Sequence, residues 1–360
     1  MKTSPKIDMR AVVALANNLG YQPSLAAPAM ESAGSVQPGV IYALANDDSR
    51  FTEAFFSEPL TTYAVGYKDP NDIEGALEFF SPKVIVPGRL FEWKKWDNAE
   101  EFYQETDDVR AIGADFKRIE YTGIDVTGKT LNKGLMMIVD LDQVPLQMPG
   151  WENRFVAKII RRLLRNELYR SIAILAAAAT NTAKNWNASA DPDSDVVQEG
   201  VTSADLQGFQ FNRVGYGHTS WAQRFLALRG NANAAKFATS GLTPAQLAPV
   251  LGVDSVYVSK ERYASTKALK SQVVGNLVLM FTAMTGQDIE DPSNVKRFVS
   301  PPPNVFAGDS AQSRPTGGLD LNVYMRQLSA KKVEISVEHY SNVILTSSLG
   351  IRKFTTTSTS

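Results

Sequence analysis

The 360-residue sequence contains no cysteine. Disulfide cross-links, thiolate metal sites and cysteine nucleophiles are excluded together. Histidine is scarce as well, with only His218 and His339 available for acid–base or ligand chemistry. No stretch approaches the ~18 uncharged apolar residues of a membrane-crossing helix. The opening Met1-Lys-Thr-Ser-Pro-Lys-Ile-Asp has no apolar signal core, which predicts a chain that is neither exported by the usual route nor membrane-spanning. Charge of one sign is missing too. Lys+Arg of 37 against Asp+Glu of 38 leaves a formal net charge of −1, so any affinity for a polyanion has to come from local clustering.

The motifs of common chemistries are also absent. There is no P-loop, no H-E-x-x-H and no G-x-S-x-G elbow. His218-Thr219-Ser220 suggests a hydrolase using Ser220 or His218, but neighbours at a helix start point in different directions. His218 reads better as a cap or surface residue, and His339 as a residue near the end of a strand. Asp191-x-Asp193-x-Asp195 imitates the start of a calcium loop, yet Val196 replaces its glycine and Thr202 its closing glutamate. Gly215-Tyr-Gly217 lacks the third glycine and the downstream acid of a dinucleotide fingerprint. The expectation is no catalytic residue, no metal and no cofactor.

What is present is organised around residues 151–182. Val156, Ile160, Leu163, Leu164, Leu168, Ile172, Leu175 and Ala179 recur at steps of three and four, the period of a helix with one buried edge. About thirty residues at ~1.5 Å each give a rod on the order of 45 Å long. Arg154, Lys158, Arg161 and Arg165 line one stripe of its polar side. Such a stripe is either a solvated face paired to acidic loops or a site for an anionic neighbour. Asn181, Asn185 and Asn187 suggest where the helix stops.

Length suggests roughly two ordinary domains, and 44% hydrophobic against 21% charged residues indicates a folded chain. Residues 1–50 are loosely patterned, with a short helix over 9–18, and are either a floppy terminus or an arm that orders against a neighbour. In 51–145, strands are expected at Lys83-Val-Ile-Val-Pro, Leu90-Phe-Glu-Trp-Lys-Lys-Trp, Phe116-Lys-Arg-Ile-Glu-Tyr-Thr and Leu135-Met-Met-Ile-Val. Between Trp96 and Phe116 lies a strongly charged stretch with Asp97, Glu100, Glu101, Glu105, Asp107, Asp108, Arg110 and Asp115, and with few large aliphatics. This stretch is either a solvated loop or an arm that packs on another subunit. Further on, helices are expected over 196–206, over 218–230 with Trp221, Phe225 and Leu228 inward, and from Thr243-Pro244 to Gly252. Strands are expected over 209–214, 253–259, 276–284, 332–338 and 342–346, and residues 355–360 form a Thr/Ser tail.

In this order of parts the chain resembles the major capsid proteins of tailed bacteriophages, whose fold is shared with encapsulin shells. Phe91-Glu-Trp-Lys-Lys-Trp-Asp and Phe116-Lys-Arg-Ile-Glu-Tyr-Thr-Gly resemble the two legs of that family's extended loop. Residues 205–230 resemble the helix–strand–helix of its peripheral domain. Thr243-Pro-Ala-Gln-Leu-Ala-Pro-Val-Leu-Gly-Val-Asp-Ser-Val-Tyr-Val resembles the unit opening its axial domain, and residues 333–345 resemble its closing strands.

The resemblance implies an α+β phage capsid fold. Its parts would be an N-terminal arm (1–50), strands with an extended loop (51–145, the loop near 84–134), and a peripheral domain (146–240) with the spine helix 151–182. An axial domain (241–330) and returning C-terminal strands (331–360) would complete it. It further implies self-assembly into an icosahedral head enclosing double-stranded DNA, in the virion and assembled in the host cytoplasm. Scaffolding, portal and decoration proteins would be partners, with no membrane involved. An encapsulin-like compartment is the alternative. The stripe Arg154, Lys158, Arg161 and Arg165 would face the shell interior. Phe91, Trp93, Trp96, Phe102 and Tyr103 would stand exposed on the loop for inter-subunit contacts. Some members join subunits through a lysine and an asparagine, which makes Lys94, Lys95, Lys117 and Asn342 conceivable partners with no pair singled out.

Overall fold

A computed structural model describes residues 40–42, 55–68, 72–95, 112–113, 115, 124–143, 150–208, 210–264, 270–284, 293–301, 321–329 and 331–358. By its contacts the chain divides into two units. The first comprises 1–67, 135–159 and 314–337, and the second 68–134, 160–313 and 338–360. The helix over 9–18 and the strand over 116–122 lie outside the described residues.

In the first unit the strand Val40–Tyr42 runs antiparallel to Phe55–Ser57, which in turn pairs with the strand Asn322–Ser329. The helix Glu58–Val65 follows directly, and its Thr61 hydroxyl accepts the Val323 amide at 3.2 Å. Val333, Ile335 and Val337 alternate into the interior, as the period-two pattern of this strand requires. The two expected closing strands are one continuous strand, Lys332–Leu345.

The second unit is built on a five-stranded sheet. Its order is Thr180–Asn185, Arg352–Thr357, Leu277–Phe281, Arg213–Gly217, Ser255–Ser259. Leu277–Phe281 is central, as its apolar run demands. The Thr-rich C-terminal stretch, expected to be a tail, is a strand instead. It lies antiparallel to Leu277–Met280 and parallel to Thr180–Asn185. For the same reason the long helix ends at Ala178 rather than near 182. Threonine and asparagine backbones from two distant segments pair there, and Lys353 Nζ takes the Ala176 carbonyl at 2.5 Å, a common way to satisfy a helix C-terminus.

Trp186, Val196, Phe211, Tyr216, Leu247 and Phe354 form a buried cluster with this sheet. Phe79 and Phe80, from the helix Ile73–Phe80, pack against Phe281 and Tyr257, Phe80 stacked on Phe281 and Phe79 edge-on to it. Gly215 makes room for the Phe80 ring, which a Cβ there would meet at 2.8 Å.

The helix His218–Gly230 buries Ser220, Arg224, Ala227 and Leu228, while Trp221 and Phe225 are half-buried. Of the three residues expected inward, Leu228 is buried, and the inner face is rotated away from the two aromatics. Arg224 explains the rotation: its Nε and Nη2 reach Asp193 at 2.6 and 2.8 Å, and a buried guanidinium needs such a bidentate partner. The helix start at Thr243-Pro244 is as expected, with a Thr243/Gln246 capping box and Gly252 in the left-handed region at φ 69°.

Candidate functional site

The hairpin expected as an extended loop is rooted in the second unit by the antiparallel pair Leu90–Lys95 and Ile124–Lys129. Its register runs from Leu90↔Lys129 to Lys95↔Ile124. Strand alternation puts Phe91 and Trp93 on one face. Both were expected to stand exposed, and both are buried at 7% exposure. Their rings lie 4.5 and 5.4 Å from the Phe298 ring, in a cluster with Val84 and Val86. Gly128, opposite Phe91, has no Cβ to collide with these rings, which would sit 2.8 Å from it. The physical reason for the correction is that Phe298 comes from a strand two hundred residues away, invisible to local pattern. Trp96, Phe102 and Tyr103 lie outside the described residues. Large apolar side chains remain exposed around the root: Ile85, Leu90, Ile124 and Leu131.

Behind the root sits a buried charge cluster that the sequence reading missed. Glu167, on the long helix, is 1% exposed. It accepts from Lys133 Nζ at 2.9 Å and from the Ser341 hydroxyl, with Arg297 Nη1 at 3.6 Å and His339 Nε2 at 3.9 Å. Lys133 also donates to Ser341 Oγ at 3.1 Å, and Arg297 reaches toward Glu78 at 3.9 Å. Burial alone would raise the Glu167 pKa, but the surrounding positive groups outweigh it and hold the carboxyl down at about 2. Burial, aided by Lys133, Arg297 and Arg170, overrides Glu167 at His339 and depresses the imidazole to about 4. His339 is therefore neutral near pH 7, where Lys133 and Arg297 carry the compensation. A signal for this cluster did exist: Glu167 stands among Leu163, Leu164, Leu168 and Ile172 on the apolar stripe. A carboxylate in such a row needs cationic partners.

The cluster makes the protein acid-labile in a defined window. Above pH ~6.5 His339 is neutral in both states; between ~6.5 and about 4 the unfolded chain binds a proton that the folded chain does not. Stability therefore falls there as the pH is lowered, by at most ~1.4 kcal/mol per pH unit for one proton. Glu167 continues the fall from ~4.5 toward about 2. Denaturant midpoints measured from pH 7 to 4 should drop, and His339→Gln should flatten that drop. An unchanged slope in the variant would contradict the assignment.

The histidine, serine and aspartate candidates take structural roles. His218 is exposed, whereas Ser220 is buried with its hydroxyl donated to the Gly217 and Leu277 carbonyls at 3.0 and 2.9 Å. The two do not converge on an acid. Asp191 caps the helix Pro192–Gln207, Asp193 clamps Arg224, and Asp195 receives Lys184 and the Trp186 indole N–H. Among the described residues no group of three His, Cys, Asp or Glu could hold a metal ion. Gly217 lies against Gly275, whose carbonyl accepts the Thr219 amide at 3.2 Å; the glycine pair serves this close turn, not a nucleotide. Of the basic stripe, Arg154, Lys158 and Arg165 are exposed and Arg161 is half-buried. Lys158 lies over the Phe155 ring, and Arg165 is 3.8 Å from Glu261. The Asn342 amide donates to the Lys129 carbonyl at 2.9 Å, while Lys117 lies outside the described residues.

No protein-family model matches the chain, and no curated protein matches it. Among solved structures it is similar to a phage-related protein from Bordetella bronchiseptica RB50, at 18% identity over 83% of this chain and 96% of that one, with a TM-score of 0.56. It is also similar to the capsid of a native GTA particle at 11% identity over 81% and 92%, TM-score 0.49. A virus-like particle from Pyrococcus furiosus is similar at 10% identity over 82% and 98%, TM-score 0.45. The α+β fold of this chain is shared with that phage-related protein.

Proposed function

We propose that this chain is the major capsid subunit of a tailed phage or prophage, and that many copies close into an icosahedral shell around double-stranded DNA. The observation that carries this reading is the hairpin root. Phe91 and Trp93 fasten it firmly to Phe298, while Leu90, Ile124, Ile85 and Leu131 are left in water. Exposed apolar groups at this density mark a surface that a partner covers, and in a shell the partner is another copy. Closed shells reuse one surface in repeated symmetric contacts. The fold shared with a phage-related protein supports the same reading. A scaffolding protein, portal and decoration proteins would complete the assembly, with the stripe Arg154, Lys158, Arg161 and Arg165 turned to the interior.

The contents of purified particles test the finer part. After nuclease digestion of the exterior, particles from infected or induced cells should yield protected double-stranded DNA of uniform length. Particles filled with a protein cargo and no DNA would instead establish a compartment of the encapsulin kind.

A further inference from the structure

Between the hairpin root and the long helix lies a groove of about 680 Å³, lined by four cations, Arg89, Lys129, Lys133 and Arg170, and by no acid. Lys133 is committed to Glu167. Arg89, Lys129 and Arg170 are exposed and make no ion pair among the described residues; Arg89 rests over the Tyr340 ring, 5.2 Å from its centroid. The rest of the lining is largely apolar and includes Leu131 and Ile174. Tyr169 completes it from the long helix. The Tyr263 ring, on the short strand Arg262–Ala264, braces Tyr169 with centroids 5.2 Å apart, yet Tyr169 keeps 45% of its surface in water. An aromatic side chain held in place and left exposed beside unneutralised cations is a stacking platform, not a core residue.

We infer that this groove binds single-stranded nucleic acid, with phosphates on Arg89, Lys129 and Arg170 and an unpaired base against Tyr169. Guanidinium and ammonium groups without protein partners recognise phosphate oxygens. A flat base covers the tyrosine ring and the apolar lining, and every base has a face that can do so, which makes the site indifferent to sequence. A duplex fits less well. Its bases are already stacked and paired, so it offers the cations its backbone and leaves Tyr169 and the apolar lining in water. A free mononucleotide carries one phosphate, whereas three cations divided between the hairpin root and the helix suit successive phosphates of a strand. The inference goes beyond the shell reading, which requires only duplex DNA inside and would survive its failure.

The test titrates a fluorescein-labelled oligothymidine of about ten nucleotides, a length in the range of single-strand sites, with the full-length chain and reads anisotropy. The strand should bind, and a roughly tenfold rise in salt should weaken binding about a hundredfold, the slope for three phosphate contacts on a single strand. Arg89→Gln, Lys129→Gln and Arg170→Gln together should remove most of that salt dependence, and each alone should lower the slope by about 0.7. Tyr169→Ala should weaken binding roughly five- to a hundredfold, while Tyr169→Phe, which keeps the ring, should bind as the wild type does. Circular dichroism establishes that each variant folds. Unlabelled duplex of the same length should compete at least about tenfold more weakly than the unlabelled strand, having no free base to stack, and thymidine monophosphate more weakly still. A strand that does not bind overturns the proposal, as does a salt slope unchanged in the triple variant. Duplex competing equally, with Tyr169→Ala binding normally, would make the groove a site for any phosphate backbone and overturns it. Monophosphate competing as well as the strand overturns it in favour of a free nucleotide.

Discussion

Glu167→Ala is expected to cost about 3–5 kcal/mol, the range for breaking a buried ion pair by removing one partner. That is a large part of a typical total of ~5–15 kcal/mol, so the variant should be largely unfolded or aggregated at 37 °C. The reason lies in what is left behind. Lys133, with its side chain only 11% exposed, and Arg297, at 6%, would face each other with only Glu78, 3.9 Å from Arg297, as a counter-charge, and Ser341 would lose its acceptor. Glu167→Gln keeps the shape and removes the charge, so it should lose most of the same stability. Asp205→Ala, on an exposed helix position, should stay within ~0.5 kcal/mol. Denaturant midpoints of the three variants check this. A Glu167→Gln midpoint equal to wild type would show that the cluster is not what ties the long helix to the strands beside it.

The second large effect concerns assembly rather than folding. Joining Lys95 to Ile124 through an Asn-Gly turn, with residues 96–123 removed, should leave the subunit folded and abolish shell formation. The strand pair tolerates the change because its last register position is Lys95↔Ile124, the geometry a two-residue turn closes. Phe91 and Trp93 keep their contact with Phe298, so the root stays anchored and the thermal midpoint should barely move. What the variant loses is the strongly charged loop with Phe102 and Tyr103 that, in the proposed shell, reaches the next subunit.

The long helix was legible in the sequence because its stripe of apolar residues is continuous over many turns. Leu277–Phe281 was legible as a central strand for a similar reason: both faces are apolar. The capped start at Thr243 was readable from two adjacent residues. The failures share another cause. The strands Thr180–Asn185 and Arg352–Thr357 are rich in Thr and Asn, and their pairing is a backbone matter that composition does not announce. Phe91 and Trp93 alternate with Glu92 and Lys94, a half-buried pattern, but what buries them is Phe298, far along the chain. The Glu167 cluster assembles residues 133, 167, 297, 339 and 341. Only its helical member carried a local hint, the acid in the apolar row.

Electron micrographs of the purified full-length chain, taken beside the variant lacking residues 96–123, test the central claim most directly. Full-length protein, alone or co-expressed with a scaffolding protein, should show closed, uniform icosahedral particles, while the shortened variant shows none. A full-length chain that stays a compact monomer at every concentration, or a shortened variant that forms the same particles, would contradict it.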